Sequence, residues 1–107
     1  MKQLMAMRAG LLLAAGLMTA GCSSQRANSE AVQRAETAFQ AVRDDSSVLR
    51  SAPKDVIRAG ESLARAERLA SYWGTGSDAQ HYAYLSLRYS EIARERSEQL
   101  LNQQRLT

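Results

Sequence analysis

Cysteine is nearly absent from these 107 residues: Cys22 is the only one. No disulfide can form within one chain, and no cysteine cluster can hold a metal. Histidine is equally scarce, with His81 alone, so a zinc site would need a long-range set of carboxylates around a single imidazole. Proline occurs once, at Pro53, and aromatic residues make up 6% of the chain. Charge of one sign is also lacking. The formal net charge is +3, but Lys2 and Arg8 lie in a segment expected to be removed, which leaves twelve Lys or Arg against eleven Asp or Glu. That balance gives no argument for nucleic acid as a partner. No hydrophobic run reaches the ~20 residues needed to cross a bilayer, since the longest, residues 9–20, ends before Gly21 and Cys22.

What is present at the amino end has the order of an export signal. Residues 1–8 carry Lys2 and Arg8, and residues 9–20 are apolar and small. The segment Met18-Thr19-Ala20-Gly21-Cys22 resembles the lipobox of bacterial lipoproteins, although Thr19 stands where that pattern commonly has Leu. The resemblance implies diacylglyceryl transfer to the Cys22 thiol, cleavage between Gly21 and Cys22, and further acylation, palmitate included, of the new amine. Two or three chains make a durable anchor at ~0.8 kcal/mol per buried methylene. An ordinary signal peptide with a chance cysteine, or a retained signal anchor, are the alternatives. Ser23 rather than Asp follows the cysteine, and the sorting rule of such lipoproteins then implies the periplasmic face of the outer membrane.

Cleavage before Cys22 leaves residues 22–107, 86 in all, enough for one modest core. Residues 22–29 are expected to be the acylated cysteine and a short polar tether, and residues 30–107 a three-helix domain with helices at about 29–44, 53–73 and 78–103. In the first, Ala31, Ala35, Ala38 and Val42 recur at helical spacing, widened by Val32 and Phe39, with Asn28 or Ser29 as cap. Residues 44–52 break the period and are expected to be a connection in which Val48 and Leu49 tuck against the bundle. Pro53 suits a first helical position and Asp55 a first turn, and Val56, Ala59, Leu63, Ala66, Ala70 and Trp73 then repeat by threes and fours. Gly60 fits a close helix approach next to Ala59.

Gly74-Thr75-Gly76 predicts a tight turn, with Ser77 and Gln80 spaced as a capping box. The third helix has two stripes, one of Tyr82, Leu85, Tyr89 and Ile92 and one of Ala83, Ser86, Ser90, Ala93 and Ser97. The expected fold is an all-α, antiparallel three-helix bundle whose bulk comes from Phe39, Leu63, Leu69, Trp73, Tyr82, Leu85, Tyr89 and Ile92. Glu98 through Leu106 would project beyond it as a candidate contact site.

Ala52-Pro53, the apolar residues at 59, 63, 66 and 70, and His81, Ala83-Tyr84-Leu85, Arg88, Ile92 and Ala93 together resemble an uncharacterised family of small helical Gram-negative envelope lipoproteins. That domain is also found ahead of OmpA-like domains, and the resemblance covers about residues 28–97. It implies an envelope setting and transfers no catalytic residue. With no OmpA-like domain following Thr107, peptidoglycan binding through one is not expected of this chain.

Catalytic chemistry finds no purchase. Carboxylates such as Glu61 and Glu98 have an arginine three or four residues away, as in Glu61–Arg65 and Arg94–Glu98, the pattern of a solvated helix face. Asp44-Asp45 lacks the alternating ligands of a calcium loop, and Gly74-Thr75-Gly76 lacks a following Gly-Lys-Ser or Gly-Lys-Thr. No cofactor, metal or enzymatic activity is expected. Tyr72, His81, Tyr84 and Arg88 are the candidate interaction surface, with an envelope protein or a second copy of the chain as partner. The alternative is an accessory lipoprotein that binds an envelope ligand such as peptidoglycan or lipid.

Overall fold

The computed structural model describes residues 26–72 and 74–106. Four helices account for almost all of them: α1 at 26–43, α2 at Ser46–Ser51, α3 at Pro53–Ala70 and α4 at Gly76–Leu106. The three-helix bundle expected from sequence is therefore corrected to a four-helix one. The additional element, α2, lies where a connection was expected. Asp45 caps it, its Oδ1 accepting from the backbone N–H of Ser47 at 3.0 Å and of Val48 at 3.4 Å. Ala52 N–H donates to Val48 O at 2.8 Å and closes the other end. A six-residue helix is too short to show a 3.6-residue period, which is why it left no hydrophobic stripe. Val48 is buried, whereas Leu49, expected beside it, is 42% exposed.

The directions of the long helices follow from their contacts. Asp55 meets Arg96, Arg58 meets Tyr89, Ala59 meets Ser86 and Arg65 meets Tyr82, so α3 and α4 run antiparallel. Val32 and Ala35 share a cluster with Ala83, and Val42 with Ala93, so α1 runs alongside α4 in the same direction. Helix α2 packs on both α3 and α4 near the end where α3 begins. Phe39 bridges the two core clusters.

The seam of α4 consists of small residues. Ala79, Ala83, Ser86, Ser90, Ala93 and Ser97 are its buried positions, spaced by four and three throughout. Ser86 Oγ donates across the interface to Ala59 O at 2.8 Å, and Ser90 Oγ to Ser86 O at 3.0 Å. The stripe of large residues stands at the rim. Of the side chains expected to supply the core's bulk, Leu63 is buried and Phe39, Leu69, Tyr82, Leu85, Tyr89 and Ile92 are half-buried. Trp73 lies outside the described residues. Helices with small seam residues approach closely, which pushes bulky neighbours outward.

Several local expectations change. Residues 26–29, assigned to the tether and cap, are helical. Asn28 instead crosses to α4, where Gln80 Nε2 donates to its Oδ1 at 2.5 Å. Gln80 is thereby turned away from the expected capping box with Ser77. A Cβ on Gly76 would lie 2.7 Å from Asn28 Nδ2, so this glycine makes room for the α1–α4 contact. Gly60 makes room for Phe39 of α1, whose Cζ would be 3.1 Å from an added Cβ. Thr75 donates its hydroxyl to the Leu69 carbonyl in the last turn of α3 and to the Tyr72 carbonyl in the turn beyond it, and Gly74 turns the chain at φ +80°.

Candidate interaction surface

His81, Tyr84 and Arg88 are three and four residues apart on α4, which sets them on one face, opposite the buried stripe of Ala83, Ser86 and Ser90. All three are exposed, Tyr84 at 59%. His81 meets the neighbouring Tyr82 edge to face, ring centroids 5.4 Å apart. Arg88 Nη1 donates to Glu91 Oε2 at 2.6 Å and is held along the helix surface. Tyr72, 68% exposed, stands in the turn before α4, and among the described residues no ring contact joins it to the other three. The four candidates thus divide into a three-residue face and a separate tyrosine. Gly21 and Cys22, the expected cleavage and lipidation positions, lie outside the described residues.

The tyrosines of α4 fall into two groups. Arg65 lies over the Tyr82 ring at 5.1 Å and donates to its hydroxyl at 3.2 Å, and Arg58 lies 6.0 Å from the Tyr89 ring. These aromatics seal the α3–α4 edge beneath cations. Arg65 is thereby committed to Tyr82, and the expected Glu61–Arg65 and Arg94–Glu98 ion pairs are absent among the described residues. On the α1 side, Glu30, Gln33, Arg34, Thr37 and Ala38 line an open cleft of about 660 Å³ together with Leu87 of α4. Arg34 Nε points to the Glu30 carbonyl at 3.5 Å rather than to its carboxylate. Leu87 belongs to neither expected stripe of α4, and that misfit was the sequence signal for this cleft.

A second feature had no local signal at all. Glu36 of α1 and Glu67 of α3 face each other across the groove that also holds Phe39 and Gly60. Desolvation beside α1, with the hydrogen bond and charge of Glu36, holds the Glu67 carboxyl above its ordinary value. Between the ordinary and the raised value the native state retains a proton that the unfolded chain has lost, so this contribution to stability is present in acid and is lost as pH rises through the raised value. Glu67→Gln is expected to raise the melting temperature at pH 7 by about 2 °C, a small effect because solvent screens the pair. The gain should vanish near pH ~3, below the ordinary carboxylate range, where Glu67 is protonated in the native and unfolded states alike. Thermal melts at the two pH values check it. Among the described residues no three His, Cys, Asp or Glu side chains come together, at this pair or elsewhere. No helix of the described residues is long and apolar enough to cross a membrane.

Residues 30–107 match the model of a family described as a domain of unknown function, DUF4398. No curated protein and no solved structure matches the chain.

Proposed function

The chain belongs to the DUF4398 family, and from that premise we propose that it is a lipid-anchored, non-catalytic interaction or structural module at the periplasmic face of the outer membrane. The observation that carries the reading is the outward face of α4. His81, Tyr84 and Arg88 are displayed there on a rigid helix whose other side is locked into the seam, while Tyr82 and Tyr89 are covered by arginines. A half-exposed tyrosine beside a cation on a rigid helix suits protein recognition, because little side-chain freedom is lost on contact. The anchor rests on the lipobox-like residues Met18 to Cys22. A second reading, an accessory protein binding a lipid or peptidoglycan fragment, is favoured by the cleft between α1 and α4, whose wall includes Ala38 and Leu87.

The test is photo-crosslinking from position 84 in the full-length protein within its own envelope, followed by mass spectrometry, with Cys22→Ser as the mislocalised control. Recovery of a defined envelope assembly that is lost in the control supports the anchored module. Crosslinks unchanged without the cysteine count against the anchor. A protein-free adduct of lipid or glycan mass moves the assignment to the ligand-binding reading.

A further inference from the structure

We propose that the projecting end of α4, with the cleft it forms against α2, is the surface on which one copy of the chain pairs with a second, antiparallel copy. The inference deepens the interaction-module reading and rests on it for its setting.

The buried stripe of α4 does not stop where its cover stops. Its spacing of fours and threes continues from Ala93 and Ser97 to Leu100 and Gln104, with Leu101 alongside. Helix α3 begins at Pro53, and its first turn reaches α4 at Arg96 through Asp55. Residues 98–106 therefore run on for about 13 Å at 1.5 Å per residue, and every one of them is exposed. At the same point the stripe changes character, from alanine and serine under α3 to leucine beyond it. Leu100 and Leu101 keep 42% and 41% of their surface in water. They form one wall of a cleft of about 380 Å³, with Ser47, Arg50 and Ser51 of α2 opposite. Apolar side chains of a second helix fit that cleft.

The charges identify the second helix. Among the described residues, Glu98 and Arg105, like most of the charged side chains, have no ion-pair partner and are free to make one. Glu98 and Arg105 are seven residues apart, two helical turns, and so lie on the same edge of the leucine face. In an antiparallel pair, like edges meet, which sets each Glu98 against the other copy's Arg105 twice over. In a parallel pair that edge would meet the opposite one, which carries Arg96 and Gln103. A surface that completes its own charges under a two-fold rotation has the property an isologous interface needs.

The test uses the full chain with Cys22→Ser, so that an engineered cysteine carries the only thiol, and a short bismaleimide crosslinker. Chains carrying Glu98→Cys are mixed with chains carrying Arg105→Cys. The mixture should yield at least tenfold more dimer than either variant alone, and Leu101→Glu added to both should abolish it while the circular dichroism melt is retained. In an independent measurement by sedimentation, Glu98→Arg should leave monomer and Glu98→Arg with Arg105→Glu should restore dimer. Dimer strongest for Glu98→Cys alone, no dimer in any arm, or failure of the charge swap to restore pairing overturns the proposal. None of these outcomes depends on the anchor or on crosslinks from position 84, so self-pairing and the interaction-module reading fail separately.

Discussion

Replacing Arg96 by alanine is expected to destabilise the bundle by about 2 kcal/mol, lowering the melting temperature by about 10 °C, although the arginine side chain is itself 63% exposed. The reason is its partner. Asp55 keeps only 5% of its side-chain surface in water, and its Oδ2 has no hydrogen-bond partner among the described residues. Arg96 Nε lies 3.4 Å from that oxygen, close enough for charge attraction although the pair lacks hydrogen-bond geometry. Without it, the buried Oδ2 of this carboxylate has the amino end of α3 as compensation, worth roughly 0.3–1 kcal/mol. The figure lies below the 3–5 kcal/mol typical of breaking a fully buried pair, because water already reaches the guanidinium. Adding Asp55→Asn should recover about half of the loss, since a neutral amide is less costly to bury than an unpaired charge. Thermal melts of the two single variants and the double variant measure this. An unchanged melt for Arg96→Ala would mean that the carboxylate finds other solvation.

A larger loss is expected at the seam. Ser86 is completely buried, and its hydroxyl bonds to the Ala59 carbonyl at 2.8 Å. Ser86→Ala removes that bond and little volume, at about 1 kcal/mol. Ser86→Leu inserts a branched side chain where α3 and α4 approach closely, and neither backbone can move without opening both core clusters. Overpacking of this kind costs about 3 kcal/mol or more, against a total stability of roughly 5 kcal/mol for so small a domain. Ser86→Leu should therefore keep only about 2 kcal/mol or less of that stability and melt at least about 15 °C lower, while Ser86→Ala keeps a cooperative urea transition with a slightly lower midpoint. A Ser86→Leu melt no lower than that of Ser86→Ala would show that the helices separate more readily than their contacts imply.

The seam also shows what was legible in the sequence. Ala83, Ser86, Ser90, Ala93 and Ser97 announce their stripe by spacing alone, and spacing likewise places His81, Tyr84 and Arg88 together on the opposite face. Depth was harder to judge. Hydrophobic size suggests that Tyr82, Leu85, Tyr89 and Ile92 fill the core, but the helices close on the small residues and hold those four at the rim. Helix α2 was hidden because six residues cannot show a period, and Asp45, read as part of a connection, is in fact the cap of that helix. Asp55 looked like a simple first-turn acid, since its burial depends on Arg96, 41 positions away. Glu36 and Glu67, on different helices, could be paired only by the fold.

The shared direction of α1 and α4 has a consequence for how the molecule stands on a surface. The chain enters the described fold at residue 26, beside the Asn28–Gln80 contact, while the leucine-bearing end of α4 lies at the opposite pole. Thirty-one residues of α4 separate the poles, about 46 Å at 1.5 Å per residue. Under the anchor proposed at Cys22, a single molecule would be an upright post that carries its leucines away from the lipid. Two posts paired as proposed, tip to tip and antiparallel, would become one strut of about 80 Å, with a lipid foot at each end. Such a strut either lies down along one leaflet or spans the gap between two facing surfaces, and its length sets which gaps it can bridge.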